Sequence, residues 1–120
     1  MTHYVDGFLL PIAPEKLTEY QKMANKAGAV WKDHGAIAYW ECVGDDFNCH
    51  DMTSFRQAAG CKDNETVIIA WIIYASREER DRINAAVMAD PRLSDMCNDD
   101  SIFDYKRMAY AGFRELVRHD

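Results

Sequence analysis

The sequence predicts an α+β fold whose elements follow in the order β-α-β-β-α-β. Three observations support this prediction: two segments repeat apolar residues at helical spacing, four segments have strand character, and no repeat or linker separates them. The 120 residues, of which 48% are apolar, are enough for one domain with one core. We therefore expect a single domain over residues 1–120.

The first strand and the first helix occupy the N-terminal third. Residues 3–12, "HYVDGFLLPI", are typical of a strand that is largely apolar on both faces. Pro14 suits the first turn of a helix. Residues 15–34 repeat apolar side chains at steps of three and four, which predicts an amphipathic helix, and Gly35 is well placed to end it.

The second and third strands are separated by a long connection. Residues 36–44, "AIAYWECVG", and 66–74, "TVIIAWIIY", are rich in β-branched and aromatic side chains and predict strands. The connection at 45–63 is long enough to be functional or to carry an extra element. Within it, "MTSFRQAA" predicts a short strand or turn.

The C-terminal third completes the pattern. Ser76 and Glu79 form a capping box that predicts the start of the second helix, and Pro91 ends it before a short helical turn in "PRLSDMC". Residues 103–117 alternate in character and predict the last strand. This order is that of the ferredoxin-like unit, a four-stranded antiparallel sheet with two main helices on one face.

The strand at 66–74 is apolar on both faces, although two helices can cover only one face of the sheet. A large uncovered apolar face is unusual on a monomer. We therefore expect a second copy of the chain to cover it, giving a homodimeric α+β barrel with twofold symmetry.

Charge and hydropathy exclude several classes of function. A formal net charge of -6 argues against a nucleic-acid partner. No apolar run approaches the ~20 residues that cross a bilayer. The first residues lack the features of a signal peptide, so the cytoplasm is the expected compartment.

The cysteines and glycines form no cofactor motif. Cys42, Cys49, Cys61 and Cys97 form no CxxC pair and no zinc-finger spacing, so we expect reduced thiols, with Cys42 buried, and no metal site. The glycines form no phosphate-binding loop, and no cofactor is expected.

Charged residues within strand patterns are the first candidates for a ligand site. Asp6, Glu41 and Arg107 each lie among apolar neighbours. Because the first and last strands are adjacent in this fold, Arg107 is expected either to pair with a carboxylate such as Asp6 or to hold an anionic ligand. In the second case Asp6 or Glu41 would accept a proton.

Four other residues have two interpretations each. Arg80 and Asn84 share a helix face and either enter a pocket or lie at its rim. His34 either complements the helix dipole or acts as a general base at the barrel mouth. Trp71 is a core or interface residue, or it lines a ligand cavity. The sequence assigns a catalytic role to none of them.

Several segments resemble a known family. The chain is similar to the YbaA-like family of small bacterial proteins, a domain of unknown function. The resemblance is collinear over nearly the whole chain and rests on "YVDGF" at 4–8, "KMANKAGAVWKDHGA" at 22–36, "WECVGDD" at 40–46, "DNETVIIAWIIYASREERD" at 63–81, "VMADPRL" at 87–93 and "FDYKRMAYAGF" at 103–113. It implies a ferredoxin-like fold of the dimeric α+β barrel type and no particular activity.

The expected function is therefore a homodimeric barrel that binds a small polar or aromatic metabolite. One alternative is a cofactor-free enzyme, because related barrels are similar to cofactor-free monooxygenases. Another is a non-catalytic regulatory or scaffold protein that acts through residues 45–63. RNA binding on the sheet is disfavoured by the acidic charge.

Overall fold

The computed structural model describes residues 2–96 and 102–120, and at residues 95 and 96 the backbone alone. It confirms the expected order, including the short helical turn after Pro91, and adds one short helix in the connection between the second and third strands. The elements are β1 (Tyr4–Ile12), α1 (Leu17–Asp33), β2 (Ala38–Val43), α2 (Phe55–Ala58), β3 (Thr66–Tyr74), α3 (Arg77–Met88), α4 (Pro91–Met96) and β4 (Ala109–Arg114). Short 3-10 turns occupy Pro14–Lys16 and Tyr105–Arg107. Of the helices in the described ranges, none combines the length and the apolar character that crossing a bilayer requires.

The sheet is antiparallel with strand order β2-β3-β1-β4, which confirms the predicted fold class. On β1, Asp6 lies opposite Ile72 of β3 on one side and Gly112 of β4 on the other. Since strand side chains alternate between faces, this register divides each strand into a helix-covered set and a second set. Asp6 and Ile72 belong to the set that faces the helices.

Helices α1 and α3 cover one face and form the core with it. One buried cluster contains Val30, Ala36, Ile72, Tyr74, Ile83, Val87 and Leu93. The other contains Leu10, Ile12, Tyr20, Ala24 and Ile68. Burying a large apolar side chain contributes about 1.5–3 kcal/mol, so these clusters hold the helices against the sheet.

The helix ends follow the predicted signals. Ser76 caps α3 by accepting a hydrogen bond from the backbone of Glu79 at 3.1 Å. Gly35, with φ of 115°, follows the end of α1 in the left-handed conformation that glycine tolerates. In the long connection, Ser54 caps α2 through the backbone N–H of Gln57 at 3.1 Å. The segment "MTSFRQAA" therefore forms a helical turn instead of a strand.

The second face of the sheet is covered by neither α1 nor α3 and is apolar on all four strands. We call it the helix-free face; its members are Val5, Gly7, Leu9, Pro11, Ala38, Trp40, Cys42, Val67, Ile69, Trp71, Ile73, Ala109, Ala111 and Phe113. At one end of this face Pro11 and Val67 are buried, whereas Trp40 and Phe113 lie in its open part. Trp40 is 59% exposed and stacks on Trp71 at a centroid distance of 5.9 Å. Phe113 is 55% exposed and packs over Gly7. The helix-free face is thus an uncovered apolar surface.

The last strand is shorter than the sequence predicts. The prediction of a strand over 103–117 was wrong at both ends, because only Ala109–Arg114 pairs with β1. The Asp104 side chain accepts the backbone N–H of Lys106 at 3.0 Å and so caps a 3-10 turn. Phe103 consequently packs edge-on against Tyr20 on the helix side, whereas Phe113 lies on the helix-free face.

Arg107 lies in that turn and pairs with Glu65, so the suggested Asp6 pairing was wrong. Its guanidinium nitrogens donate to the two Glu65 carboxylate oxygens at 2.7 and 2.8 Å, and to the Gly60 carbonyl at 2.8 Å. This bidentate pair closes the end of the 45–63 connection onto the segment before β4. The hydrogen bonds from Arg107 lower the pKa of Glu65 from its ordinary 4.5 to about 2.

We predict that Arg107→Ala lowers the free energy of unfolding by about 1–2 kcal/mol at pH 7, because it removes charge-assisted hydrogen bonds to a carboxylate that is only 11% exposed. The pKa of Glu65 is lowered in the folded state, so this stabilisation is present above pH 4.5 and is lost as the pH falls towards 2. Urea unfolding of wild type and variant at pH 7 and pH 3 measures both effects.

Arg82→Ala is the matched control, because Arg82 pairs with Glu79 on the surface of α3, where the two side chains are 55% and 42% exposed. A surface pair of this kind contributes little, so we expect a smaller loss of stability than that caused by Arg107→Ala. Equal effects of the two substitutions would contradict a structural role for Arg107.

Candidate functional site

A cavity of about 450 Å³ lies between the helices and the sheet. Its lining includes the aromatic rings of Phe8, Tyr20, Trp31, Tyr39, Phe103 and Tyr105. Three methionines on different elements, Met23, Met88 and Met108, complete much of the wall. Among the described residues that line it, Glu41 is the only carboxylate. This part of the lining is thus aromatic and thioether-rich with one acidic group.

Small side chains leave this space open. Ala24 and Ala27 on α1 and Ala70 on β3 line the cavity where larger residues would fill it. Methionine side chains are flexible, so this part of the cavity wall can adapt its shape. The arrangement therefore departs from the close packing of the two core clusters.

A second, more polar cleft of about 660 Å³ opens between α1 and β2. It is bordered by Gln21, Asn25 and Lys32. The two spaces share Tyr20, Ala24, Tyr39 and Glu41 as lining residues. The Glu41 carboxylate consequently lies at the boundary between an apolar interior and a polar opening.

The Glu41 carboxylate is held by two tyrosines. The Tyr20 hydroxyl donates to one carboxylate oxygen and the Tyr39 hydroxyl donates to the other. Burial, reinforced by the negative charge of Glu41, raises the pKa of both tyrosines above the ordinary value of 10. Both phenols therefore remain protonated hydrogen-bond donors. We call this group the Glu41 clamp.

The position of Tyr39 depends on a glycine. A Cβ atom at Gly28 on α1 would lie 2.8 Å from the Tyr39 ring, which is closer than packed side chains approach. Gly28 thus lets β2 come close enough to α1 for Tyr39 to reach the carboxylate. In addition, the period-two alternation of β2 places Tyr39 and Glu41 on the same face.

A second polar cluster surrounds Asp6, whose side chain is 1% exposed. The Tyr74 hydroxyl donates to Asp6 Oδ2 at 2.9 Å and the Tyr110 hydroxyl donates to Oδ1 at 3.0 Å. Arg80 supplies the compensating charge, with Nη1 3.4 Å from Oδ1. Burial and the nearby Asp6 raise the pKa of both tyrosines. The buried Asp6 charge is therefore both hydrogen-bonded and paired with a cation.

Asn84 connects this cluster to the cavity. Its amide nitrogen lies 3.4 Å from Asp6 Oδ2, and its oxygen accepts a hydrogen bond from the indole of Trp31 at 3.1 Å. On the other side, Tyr110 packs against Phe8 with a centroid distance of 5.0 Å. Because Trp31 and Phe8 both line the cavity, the Asp6 cluster positions two of its aromatic walls.

Arg80 also contacts the edge of the sheet. Its guanidinium lies over the Tyr4 ring at 4.9 Å and donates to the Tyr110 hydroxyl at 2.8 Å. The side chain is 15% exposed. The Arg80 guanidinium thus contacts Asp6, Tyr4 and Tyr110. Arg80 therefore serves as the ion-pair partner of the buried Asp6.

The seven residues singled out from the sequence therefore occupy several places. Asp6, Arg80 and Asn84 come together, and Glu41 lies in the cavity wall. The remaining three lie outside both groups, and they are His34, Trp71 and Arg107.

Each of the three outlying residues has a structural partner, and that of Arg107 is Glu65. His34 Nε2 lies 2.8 Å from Asp90 Oδ2, which joins the end of α1 to the start of α4. Arg92 hydrogen-bonds to the same carboxylate and, with His34, lowers the pKa of Asp90. Trp71 packs on the helix-free face, so it is separated from the cavity by the sheet.

Sequence reasoning missed the tyrosines that complete both clusters. Tyr20 and Tyr39 hold Glu41, and Tyr74 and Tyr110 hold Asp6. The alternation of Tyr39 and Glu41 along one strand is the available local signal. Tyr20 reaches Tyr39 and Glu41 only because α1 packs against the sheet, and this packing cannot be predicted from residue spacing.

The described residues offer no obvious metal ligands. Within residues 2–96 and 102–120, no group of three or more His, Cys, Asp or Glu side chains could hold a metal ion. Cys42, Cys49 and Cys61 are free thiols of intermediate exposure, so Cys42 is less buried than expected. Cys97 lies outside the described residues.

Solved structures show where else this fold occurs. A dimeric ferredoxin-like protein from an uncultured marine organism matches with a TM-score of 0.57 at 10% identity, covering 100% of this chain and 99% of that chain. A NIPSNAP family protein of unknown function from Agrobacterium tumefaciens matches with a TM-score of 0.56 at 14% identity, covering 95% and 87%. At these identities the likeness establishes the fold alone.

A protein with a stated activity is also similar in fold. SnoaB, a cofactor-independent oxygenase from Streptomyces nogalater, matches with a TM-score of 0.51 at 12% identity, covering 98% of this chain and 95% of that chain. The activity belongs to that protein.

Sequence similarity is much stronger within one family. The uncharacterized protein YbaA from Escherichia coli is 39% identical over 114 residues, covering 95% of this chain and 97% of that protein. A YbaA protein from Shigella flexneri matches to the same extent. The family described as "Protein of unknown function (DUF1428)" matches residues 3–105. The chain therefore belongs to the DUF1428 family, which includes the YbaA proteins.

Proposed function

We propose that the protein is a homodimer that binds a small, largely apolar metabolite in the cavity between its helices and sheet. The observation that carries this proposal is the cavity itself, which the described residues line with aromatic rings, methionines and the Glu41 carboxylate. Ligand sites are typically clefts of about 300–1,000 Å³ with mostly apolar walls and few polar groups. The 450 Å³ cavity has these properties.

The lining favours an aromatic or branched apolar body over a fully polar ligand. Phe8, Trp31 and Phe103 offer ring faces and edges, and they leave few polar atoms to satisfy a polyhydroxylated molecule. The cleft on the other side of the Glu41 clamp accommodates polar atoms or provides the entry path. The ligand is accordingly amphipathic, with its polar group at Glu41.

The homodimer accounts for the helix-free face. That face contains aromatic and aliphatic side chains and no charged residue on any of the four strands. Each chain carries a formal charge of -6, so an interface without carboxylates avoids close contacts between like charges. Apposition of two helix-free faces about a twofold axis satisfies this condition. The marine protein of similar fold is described as dimeric, which supports a dimer for this chain.

Two alternative functions have less support than ligand binding. A cofactor-independent oxygenase reaction is supported by the fold of SnoaB, and it also requires a substrate in the protein. A scaffold function of residues 45–63 is supported by Met52 and Phe55, which are 71% and 53% exposed. Two exposed side chains form a smaller apolar surface than the helix-free face.

Filling the cavity tests ligand binding. Indole serves as a neutral aromatic probe, and we predict that it raises the melting temperature of the wild-type protein. Ala27→Trp places a large ring in the cavity and should weaken indole binding at least about tenfold, measured by titration calorimetry. Ala85→Trp, on the exposed side of α3, is the matched control and should bind as wild type does. No binding by wild type, or equal loss in both variants, would contradict the proposal.

A charge on the helix-free face tests the dimer. We predict that Trp40→Glu raises the dimer dissociation constant roughly 100-fold, because the twofold axis buries two new unpaired carboxylates. Light scattering and sedimentation should show a wild-type dimer at micromolar concentration and a monomeric variant.

Met88→Glu introduces the same charge at a 61% exposed position of α3, on the other side of the sheet. It should leave the dimer intact. A wild-type monomer, or dissociation by both substitutions alike, would contradict the assignment of the interface.

A further inference from the structure

We propose that the cavity selects a cationic amine, with the Glu41 carboxylate as its counter-ion. This inference rests on the proposed ligand-binding function and names the chemical class of the ligand. It follows from the charge of Glu41, from the rings around it, and from its place between the two spaces.

Glu41 differs from the other enclosed carboxylates because no cationic side chain in the described part of the chain pairs with it. Asp6 pairs with Arg80, Glu65 with Arg107, and Asp90 with both His34 and Arg92. Among residues 2–96 and 102–120, the ion pairs include none with Glu41. A partly buried carboxylate of this kind is poorly compensated, and a bound cation would complete it.

The two tyrosines orient the carboxylate without neutralising it. Tyr20 and Tyr39 are neutral donors, and the raised pKa of each keeps them so. Each takes one acceptor position on a different oxygen, whereas a carboxylate offers about four. Acceptor positions therefore remain for an ammonium group, which carries donors and no acceptor.

The surrounding rings favour the same kind of ligand. Tyr39, which donates to Glu41, packs against Trp31 with ring centroids 6.0 Å apart, and the faces of such rings carry the negative part of the aromatic quadrupole and attract cations. The chain as a whole is acidic, so its long-range field draws cations and repels anions. A ligand carboxylate or phosphate would meet Glu41 as a like charge.

The position of Glu41 determines the orientation of the bound amine. The carboxylate borders both the apolar cavity and the polar cleft, so an ammonium bound there has its apolar substituent directed into the cavity. A volume of about 450 Å³ accommodates an aromatic ring with a short alkyl chain. The ligand class is therefore an arylalkylamine or a similarly compact apolar amine.

Three probes of nearly equal shape separate the possibilities: 2-phenylethylamine, 2-phenylethanol and 3-phenylpropionate. Titration calorimetry on the full chain at pH 7 should show the amine binding at least about tenfold more tightly than the alcohol, and the carboxylate binding weakest. Glu41→Gln, which keeps the side-chain shape, should reduce the preference for the amine to about threefold or less.

Glu79→Gln is the matched control, because it removes the same charge from an exposed site on α3. It should retain the full preference for the amine. This comparison separates a contact with Glu41 from the general effect of a lower net charge.

The outcomes distinguish the two proposals. If the alcohol or the carboxylate binds wild type as tightly as the amine, or if Glu41→Gln keeps the preference, the amine assignment is overturned and ligand binding stands. If none of the three probes binds, both proposals fail. The wild-type comparison decides the assignment even if the Glu41 variant does not fold.

Discussion

Two long helices on a four-stranded sheet leave one face of that sheet uncovered, and the rest of the structure follows from this constraint. The covered face builds the core and, where α1 presents alanines instead of larger residues, the cavity. The uncovered face is apolar and uncharged across all four strands. One face therefore suits a ligand and the other a second copy of the chain, so the two proposed functions occupy opposite sides of one sheet.

The helix-covered side contains two enclosed acids that are stabilised differently. Asp6 receives two phenols, an amide and a guanidinium, so its charge is compensated within the chain. Glu41 receives two phenols, and within the described ranges no basic side chain pairs with it. Since a buried charge needs compensation, the first arrangement is structural and the second is open to a ligand. Asn84 joins the Asp6 cluster to the cavity wall, because it bonds both Asp6 and the cavity residue Trp31.

The strands and helices could be predicted from the sequence more accurately than the contacts between side chains. The strand at Thr66–Tyr74 has the predicted bounds, because its β-branched run leaves little alternative. The last strand was overextended, because the local cap by Asp104 overrides an alternating pattern. Asp6, Arg80 and Asn84 were singled out separately, yet their meeting depends on how α3 packs on the sheet. Arg107 was expected either to pair with a carboxylate such as Asp6 or to hold an anion. Its partner is a carboxylate, but it is Glu65, which follows a connection whose path no periodicity determines.

The methionines in the cavity wall allow a direct test of whether the cavity binds a ligand. Methyl NMR of methionine-labelled protein can follow Met23, Met88 and Met108 in the cavity wall, with Met52 in the exposed connection as an internal reference. On addition of 2-phenylethylamine, we predict that the three cavity resonances shift together and saturate while Met52 does not move. Shifts at Met52 without shifts at the cavity methyls, or no shifts at all, would contradict the account.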